Sequence, residues 1–273
     1  MQDNFALQSD TVLKFLKPIM PFTFSHPAAA VPLTRMGLVL SALVVGAMSP
    51  DFAYFIFLSA RYQIGHTLLG IIIFDIPVGF VVLWLFHTIL KQPLISLFPV
   101  THQQRLMPLA NDFSFLPLQR FVSIILSLSL GAFTHIAWDS LTHLQGWTVQ
   151  QLPVLSAPVI EIAQVSIRLY KILQHGSTVF SAALLLYWYL KWLKQAPTQP
   201  INLSVPLLST RTKLYIIIII GLGATIGAIV YSFLVPPYSI HQFLLQTVIV
   251  AVAILFVEVI IFGIFWHVNQ LKI

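Results

Sequence analysis

Long apolar runs, parted by short clusters of proline and charge, set the rhythm of this chain. Met36 to Leu58 is apolar apart from Asp51 and is long enough to cross a bilayer. Arg61 and Tyr62 make a short turn before a second run from about His66 to Leu90. Residues 91–119 contain Pro93, Pro99, Pro108 and Pro117 with Lys91, Arg105 and Asp112, a pattern that predicts a long surface loop. A third run spans Arg120 to about Leu141, and the stretch from Gly146 to Gln174 is too polar to follow it across. There Glu161, Arg168 and Lys171 stand among Ile160, Ile167, Leu169 and Ile172, predicting a helix on the membrane surface near 158–173. Further runs cover about Ser177–Leu193, Leu214–Leu234 and about Ile240–Trp266, the last two hinged at Pro236-Pro237.

The expected fold is therefore all-α, a polytopic transmembrane bundle of about six spans. Its expected organisation is an N-terminal extension (1–19), a helical core carrying the site (20–195), a proline-containing linker (196–212) and a C-terminal helix pair (213–273).

Composition agrees with a bilayer as solvent. Apolar residues make up 58% of the 273, charged residues 8%, and the mean hydropathy is +0.90; a soluble domain carries about a quarter charged residues. Asp3, Asp10, Lys14 and Lys17 interrupt any apolar core of a leader peptide. With no cysteine, a metal could be held only through nitrogen and oxygen. The net charge of +6 does not point to nucleic acid, because the basic residues lie at helix ends, where topology and lipid head groups account for them. Across six spans, eleven of the 14 Lys and Arg fall on one side and three, Arg61, Arg168 and Lys171, on the other. That split predicts an inner-membrane protein with a cytoplasmic C-terminus.

Candidate chemistry concentrates where the third run ends. His135, Asp139 and His143 recur at steps of four, which on a helix makes one nearly straight row. Helix direction alone then brings Asp51, His66, His135, Asp139, His143 and His175 to one membrane face, the non-cytoplasmic one. Imidazole with carboxylate suits a divalent metal, zinc before manganese or iron. Two such ions could activate water and clamp the leaving oxygen of a phosphodiester. Each residue also has a plainer reading: the row as interfacial polar residues finishing a helix, His66 as a capping or snorkelling residue, Asp51 as a loop aspartate.

His26 requires a fold-back. An unbroken helix would put it about 37 Å from Asp51. Ser25-His26-Pro27 reads as a helix start, and Pro32 with Arg35-Met36-Gly37 offers a break. A pair folded back on itself, 27–34 dipping in and 37–51 returning, would let His26 meet Asp51, provided protein covers the irregular backbone. Asp75 is expected apart from the cluster, about 180° around the helix and about 13 Å deeper than His66, in a structural or hydrogen-bonding role. Glu258 reads as structural, and His175, beside Gly176, could equally mark a helix break.

Five segments in fixed order carry a resemblance: Met20-Pro21-Phe22-Thr23-Phe24-Ser25-His26-Pro27-Ala28-Ala29, Gly46-Ala47-Met48-Ser49-Pro50-Asp51-Phe52, Phe74-Asp75-Ile76-Pro77-Val78-Gly79, the His135 row, and Leu173-Gln174-His175-Gly176-Ser177. Over about residues 20–195 the chain resembles the bacterial membrane family catalogued as domain of unknown function 4184. More loosely it is similar to membrane-bound metal-dependent hydrolases related to zinc-dependent phospholipase C and the P1-type nucleases. The looser resemblance implies metal ligands at His26, Asp51, His66, His135 and Asp139; no His-x-x-x-Glu pair stands here to complete a three-metal set. It also suggests Met20 as a natural start.

Three functions stay open. The first is a metal-dependent hydrolase of a phosphoester or phospholipid, with Asp51 or Asp139 bridging metals or acting as base. The second is a small transporter or channel component using Asp75 and Glu258, and the third a non-catalytic scaffold that keeps a metal for stability.

Overall fold

The computed structural model describes residues 23–110, 113–162, 165–198, 208–236 and 239–270. The extension 1–19, Met20, most of the 196–212 linker and Pro237 of the expected hinge lie outside them.

The chain enters as the expected fold-back. A 3-10 turn Thr23–Ser25 leads into α1 (Pro27–Ala30), and a second 3-10 turn Val31–Met36 ends at Gly37. Gly37 has φ of 78°, a left-handed conformation open to glycine, and it reverses the chain into α2 (Leu40–Met48). A 3-10 turn Ser49–Asp51 joins α2 to α3 (Phe52–Ile56). After a turn at Ile64–His66 the long helix α4 runs Leu68–Leu97, with π-type turns at Ile71–Asp75 and Phe86–Leu90.

The expected surface loop over 91–119 is corrected to helix for much of its length. α4 continues to Leu97, α5 covers Val100–Leu106, and Met107–Leu109 forms a 3-10 turn. The prolines fit because they fall at element starts, where a missing N–H does no harm. The wide turn Phe86–Leu90 resets the ladder so that Pro93 lies in the first turn after it, and Pro99 precedes α5.

α6 (Leu118–Thr142) carries the His135 row and is followed by α7 (Trp147–Gln151) and α8 (Pro153–Ser156). The expected surface helix near 158–173 is also corrected. Its first part is an antiparallel hairpin of β1 (Pro158–Ile162) and β2 (Val165–Arg168), and helix resumes only at α9 (Leu169–Gln195). Val159, Ile160, Ile162, Val165 and Ile167 are β-branched, which favours strand over helix. α10 (Thr210–Leu234) and α11 (Ile240–Gln270) form the C-terminal pair.

Among the described residues four helical stretches are long and apolar enough to cross a membrane: Leu68–Leu97, Leu118–Gln151, Thr210–Leu234 and Ile240–Asn269. The other two expected spans fall short in different ways. Leu40–Ile56 is apolar but short, and α9 has 27 residues but is not apolar enough, with Gln174, His175, Gly176, Ser177 and Thr178 in its first half. The result is an all-α membrane bundle with one small hairpin.

The bundle is tightest where α2 crosses α6. A Cβ on Gly46 would lie 2.3 Å from the Leu128 carbonyl oxygen, and one on Gly131 would lie 2.5 Å from that of Leu43. Glycine at both positions lets the two backbones touch. Ser127 Oγ also accepts from the Val39 amide at 2.9 Å, holding the start of α2 against the same helix. Ala42, Leu43, Ala47, Ile124 and Leu128 are buried around this crossing. The C-terminal pair is tied to the core by Lys213 Nζ, which donates to the Phe98 carbonyl at 2.7 Å, and by His267 Nε2, which donates to that of Ile89 at 3.2 Å.

Candidate metal centre

The α2–α6 crossing sets the position of the first ligand-type side chain. His135 lies one turn beyond Gly131, so its ring falls beside the end of α2, and its Nδ1 donates to the Ala47 carbonyl at 2.8 Å. That bond fixes the tautomer and leaves Nε2 with its lone pair facing inward, the usual preparation of a metal-binding imidazole. His135 is 1% exposed, and its Nε2 has no hydrogen-bond partner.

Four chain segments converge on that nitrogen. His135 Nε2 lies 3.3 Å from Asp139 Oδ2 and 3.7 Å from Asp51 Oδ1. His66 Nε2 lies 3.4 Å from Asp51 Oδ1 and 3.6 Å from Asp139 Oδ2. His26, brought in by the fold-back, stacks on His135 with ring centroids 3.8 Å apart and puts Nε2 3.8 Å from Asp139 Oδ1. Ligands held about 2 Å from one ion stand about 3–3.5 Å from one another, so these separations match a chelating set that closes slightly on its ion. Two groupings, His26–His135–Asp139 and Asp51–His66–His135, could each hold a metal.

The atoms left without partners point the same way. Both ring nitrogens of His26, Nε2 of His135 and Oδ1 of Asp139 are buried and make no hydrogen bond. Buried polar atoms are ordinarily satisfied, and these orphans belong to residues whose grouping could bind a metal ion. By contrast, the outward-facing atoms of the other two, Asp51 and His66, have partners. Thr23 Oγ1 donates to Asp51 Oδ2 at 2.6 Å, which turns Oδ1 toward the cluster, and the Tyr54 hydroxyl lies 3.5 Å from His66 Nδ1. The donor set of imidazole and carboxylate fits zinc, manganese or iron(II).

Charge within the centre is uneven. Burial, then the neighbouring His135, pushes His26 down to about 4, which favours a neutral ring. Burial opposes charge on His66 too, but the Asp139 and Asp51 carboxylates outweigh it and push His66 up to about 9.

Asp75 departs from its expected position. His66 is not on the α4 helix: it ends the turn Ile64–His66, and Thr67 is extended and caps Gly70. The helical offset of nine residues therefore does not apply. Asp75, 1% exposed within the π-type turn, has Oδ1 2.7 Å from where a Gly65 Cβ would be, directly behind His66 and beside Pro50. Neither carboxylate oxygen has a hydrogen-bond partner.

His143 and His175 take different places. His143 ends α6 with extended backbone, and its Nδ1 lies 3.5 Å from Asp139 Oδ1. His175 is exposed on α9, and its neighbour Gln174 faces the centre instead, 1% exposed, with Nε2 donating to His143 Nε2 at 3.2 Å. Thr23, Tyr54 and Gln174 were not singled out from sequence. Thr23 and Gln174 stand inside motifs already quoted, adjacent or near to the histidines, and that proximity was the available signal.

Neither the curated proteins nor the solved structures include a match to this chain. The family described as Domain of unknown function (DUF4184) matches residues 20–264, a stretch that includes the fold-back, every residue of the cluster and most of the C-terminal helix pair, and the chain belongs to that family.

Proposed function

We propose that this protein is an integral membrane hydrolase that depends on a divalent metal, zinc before manganese or iron, and acts on a phosphoester such as a phospholipid head group. One observation carries the reading: His26, Asp51, His66, His135 and Asp139, from segments up to 113 positions apart, bring nitrogen and oxygen atoms together, with those of His26, His135 and Asp139 left without hydrogen bonds, while the outer atoms of His135 and Asp51 are held by Ala47 and Thr23. An assembly that only stabilised the bundle would gain more from apolar packing.

A metal bound there supplies Lewis acidity toward a phosphoryl oxygen and lowers the pKa of water near neutrality. The residues of the chain do the rest. His135, its tautomer set by Ala47, and His66, backed by Tyr54, would hold the ion through Nε2. Asp51, with Oδ2 engaged by Thr23, would hold it through Oδ1. Asp139 is the most accessible of the carboxylates in the cluster, at 13% side-chain exposure, and is the residue that can take a proton from attacking water. On the six spans expected from sequence, positive-inside counting would put this face outside the cytoplasm, with lateral access from the outer leaflet of the inner membrane.

Metal analysis of the detergent-purified protein tests the reading. Stoichiometric zinc, manganese or iron, lost in His135→Ala and Asp139→Ala together with hydrolysis of bis(4-nitrophenyl) phosphate, is the expected result. Metal-free protein after loading and desalting would end it.

A further inference from the structure

The short elements between α6 and α9 are apolar on the outside as well as the inside. α7 and α8 turn Val149 and Leu155 inward, where they pack with Tyr170 against Leu141 and Leu173 in a small core of their own. Other large apolar side chains face outward: Trp147 is 72% exposed, and Leu144, Leu152 and Val154 are exposed with it. The hairpin continues the same character through Val159 and Ile160. From Leu144 to Ile160 the chain has no Asp, Glu, Lys or Arg, and Glu161 is the first charge beyond. A stretch of that length facing water would carry about four charged residues. Single exposed apolar side chains are ordinary, but a run of them without charge marks a surface that something covers.

Its place in the fold says what covers it. α6 has 25 residues, about 37 Å of helix against about 30 Å of hydrocarbon, so its last turns reach the boundary of the bilayer. α7 is clamped to those turns. The Gly146 amide donates to the His143 carbonyl at 2.8 Å, Ser140 Oγ lies 2.8 Å from Thr148 Oγ1, and a Cβ on Gly146 would lie 2.4 Å from the Ser140 carbonyl oxygen. The segment is thus fixed at the end of a spanning helix whose own Phe133 and Trp138 are exposed toward lipid. It does not belong deeper, because the edges of a two-stranded hairpin leave backbone groups that hydrocarbon does not satisfy. In water alone such a hairpin is marginal. The head-group layer, apolar below and hydrated above, meets both demands, and tryptophan favours it.

We propose that residues 144–160 form an interfacial ledge seated in the head-group layer of the bilayer beside the His/Asp cluster, with phospholipid as its partner. Having no cation of its own, the ledge takes zwitterionic and anionic phospholipid alike. Its meaning for catalysis rests on the hydrolase reading: the clamped turn of α6 that carries Ser140 and His143 also carries Asp139, which the ledge holds at the depth of a phospholipid phosphoester.

The test uses the full-length protein in phosphatidylcholine nanodiscs. The chain has no cysteine, so spin labels on Leu152→Cys, Val154→Cys and Val159→Cys each report one position. A label on Ile219→Cys, exposed midway along α10, gives the hydrocarbon reference. Collisions with oxygen and with a nickel chelate are expected to place the three ledge labels about 5–10 Å into the boundary between head groups and acyl chains. They should lie shallower than Ile219, with phosphatidylglycerol in the disc or without it. In unlabelled protein, the fluorescence lost in Trp147→Phe should be quenched more by lipids brominated near the top of the acyl chain than near its end. Ledge labels that meet the nickel chelate as freely as in water, or that lie as deep as Ile219, overturn the proposal. So do labels shielded from both colliders and broadened by spin–spin coupling, which would mean that a second copy covers the face. Neither readout needs a metal. Interfacial labels on a protein that takes up none keep the ledge and end the hydrolase reading; water-facing labels on metal-loaded protein overturn the ledge and leave the metal centre standing.

Discussion

Thr23 and Asp51, 28 positions apart, are joined by a 2.6 Å hydrogen bond in which the threonine hydroxyl donates to Oδ2, and this bond leaves Oδ1 to face His66 and His135. Partners of this kind orient a metal ligand, and their loss lowers metal affinity about 10- to 100-fold. Thr23→Val should fall in that range by competitive chelator titration, while Thr23→Ser should remain near wild type. Equal affinity in all three would remove Thr23 from the site.

The close crossing of α2 and α6 predicts a steric effect with a distant readout. A methyl group on Gly46 would meet the Leu128 backbone, which cannot give way as a flexible side-chain tip could. Gly46→Ala should destabilise the protein by about 3 kcal/mol or more, and it should weaken metal binding because it spreads Ala47 from His135. Thermal unfolding in detergent and metal content measured together check both halves.

Proton and metal compete for His66. Its raised value, about 9, means that binding near neutrality releases a proton, so affinity should rise with pH by up to about tenfold per unit below pH 9. In the metal-free protein the sign differs for each ring. The contribution of His66 is fully present below pH 6.5 and lost as pH rises toward about 9. His26, held neutral, contributes above pH 6.5 and loses that contribution as pH falls toward about 4. Metal-free protein should therefore be most stable near pH 6.5, and saturating metal should remove the alkaline decline. Melting curves across pH with and without metal decide this.

Adjacent residues on α9 should behave oppositely. His175→Ala removes an exposed ring and should leave metal affinity unchanged. Gln174→Leu removes the donor to His143 from a fully buried position and should lower stability by about 1–3 kcal/mol and metal affinity with it. The reverse outcome would place α9 in a different rotation.

The apolar runs were enough to predict a helical membrane protein, because bilayer thickness and backbone hydrogen bonding leave few other solutions. The fold-back at Arg35-Met36-Gly37 was legible for a local reason: proline and a left-handed glycine are written in the chain. The hairpin at 158–168 was not, since its isoleucines also satisfy an amphipathic helix and only cross-strand pairing separates the two. A helical offset from His66 does not place Asp75, because the backbone is extended at Thr67.

By itself, then, the sequence determined which residue types could meet at one membrane face, since span direction and ligand spacing are one-dimensional properties. Tertiary structure alone decided which atoms do meet. The contact of Gly46 and Gly131 backbones sets His135 beside Ala47, the turn before α4 frees His66 from the helix, and the rotation of α9 turns Gln174 inward in place of His175. Those outcomes depend on interhelical distance and rotation, which a linear pattern does not carry.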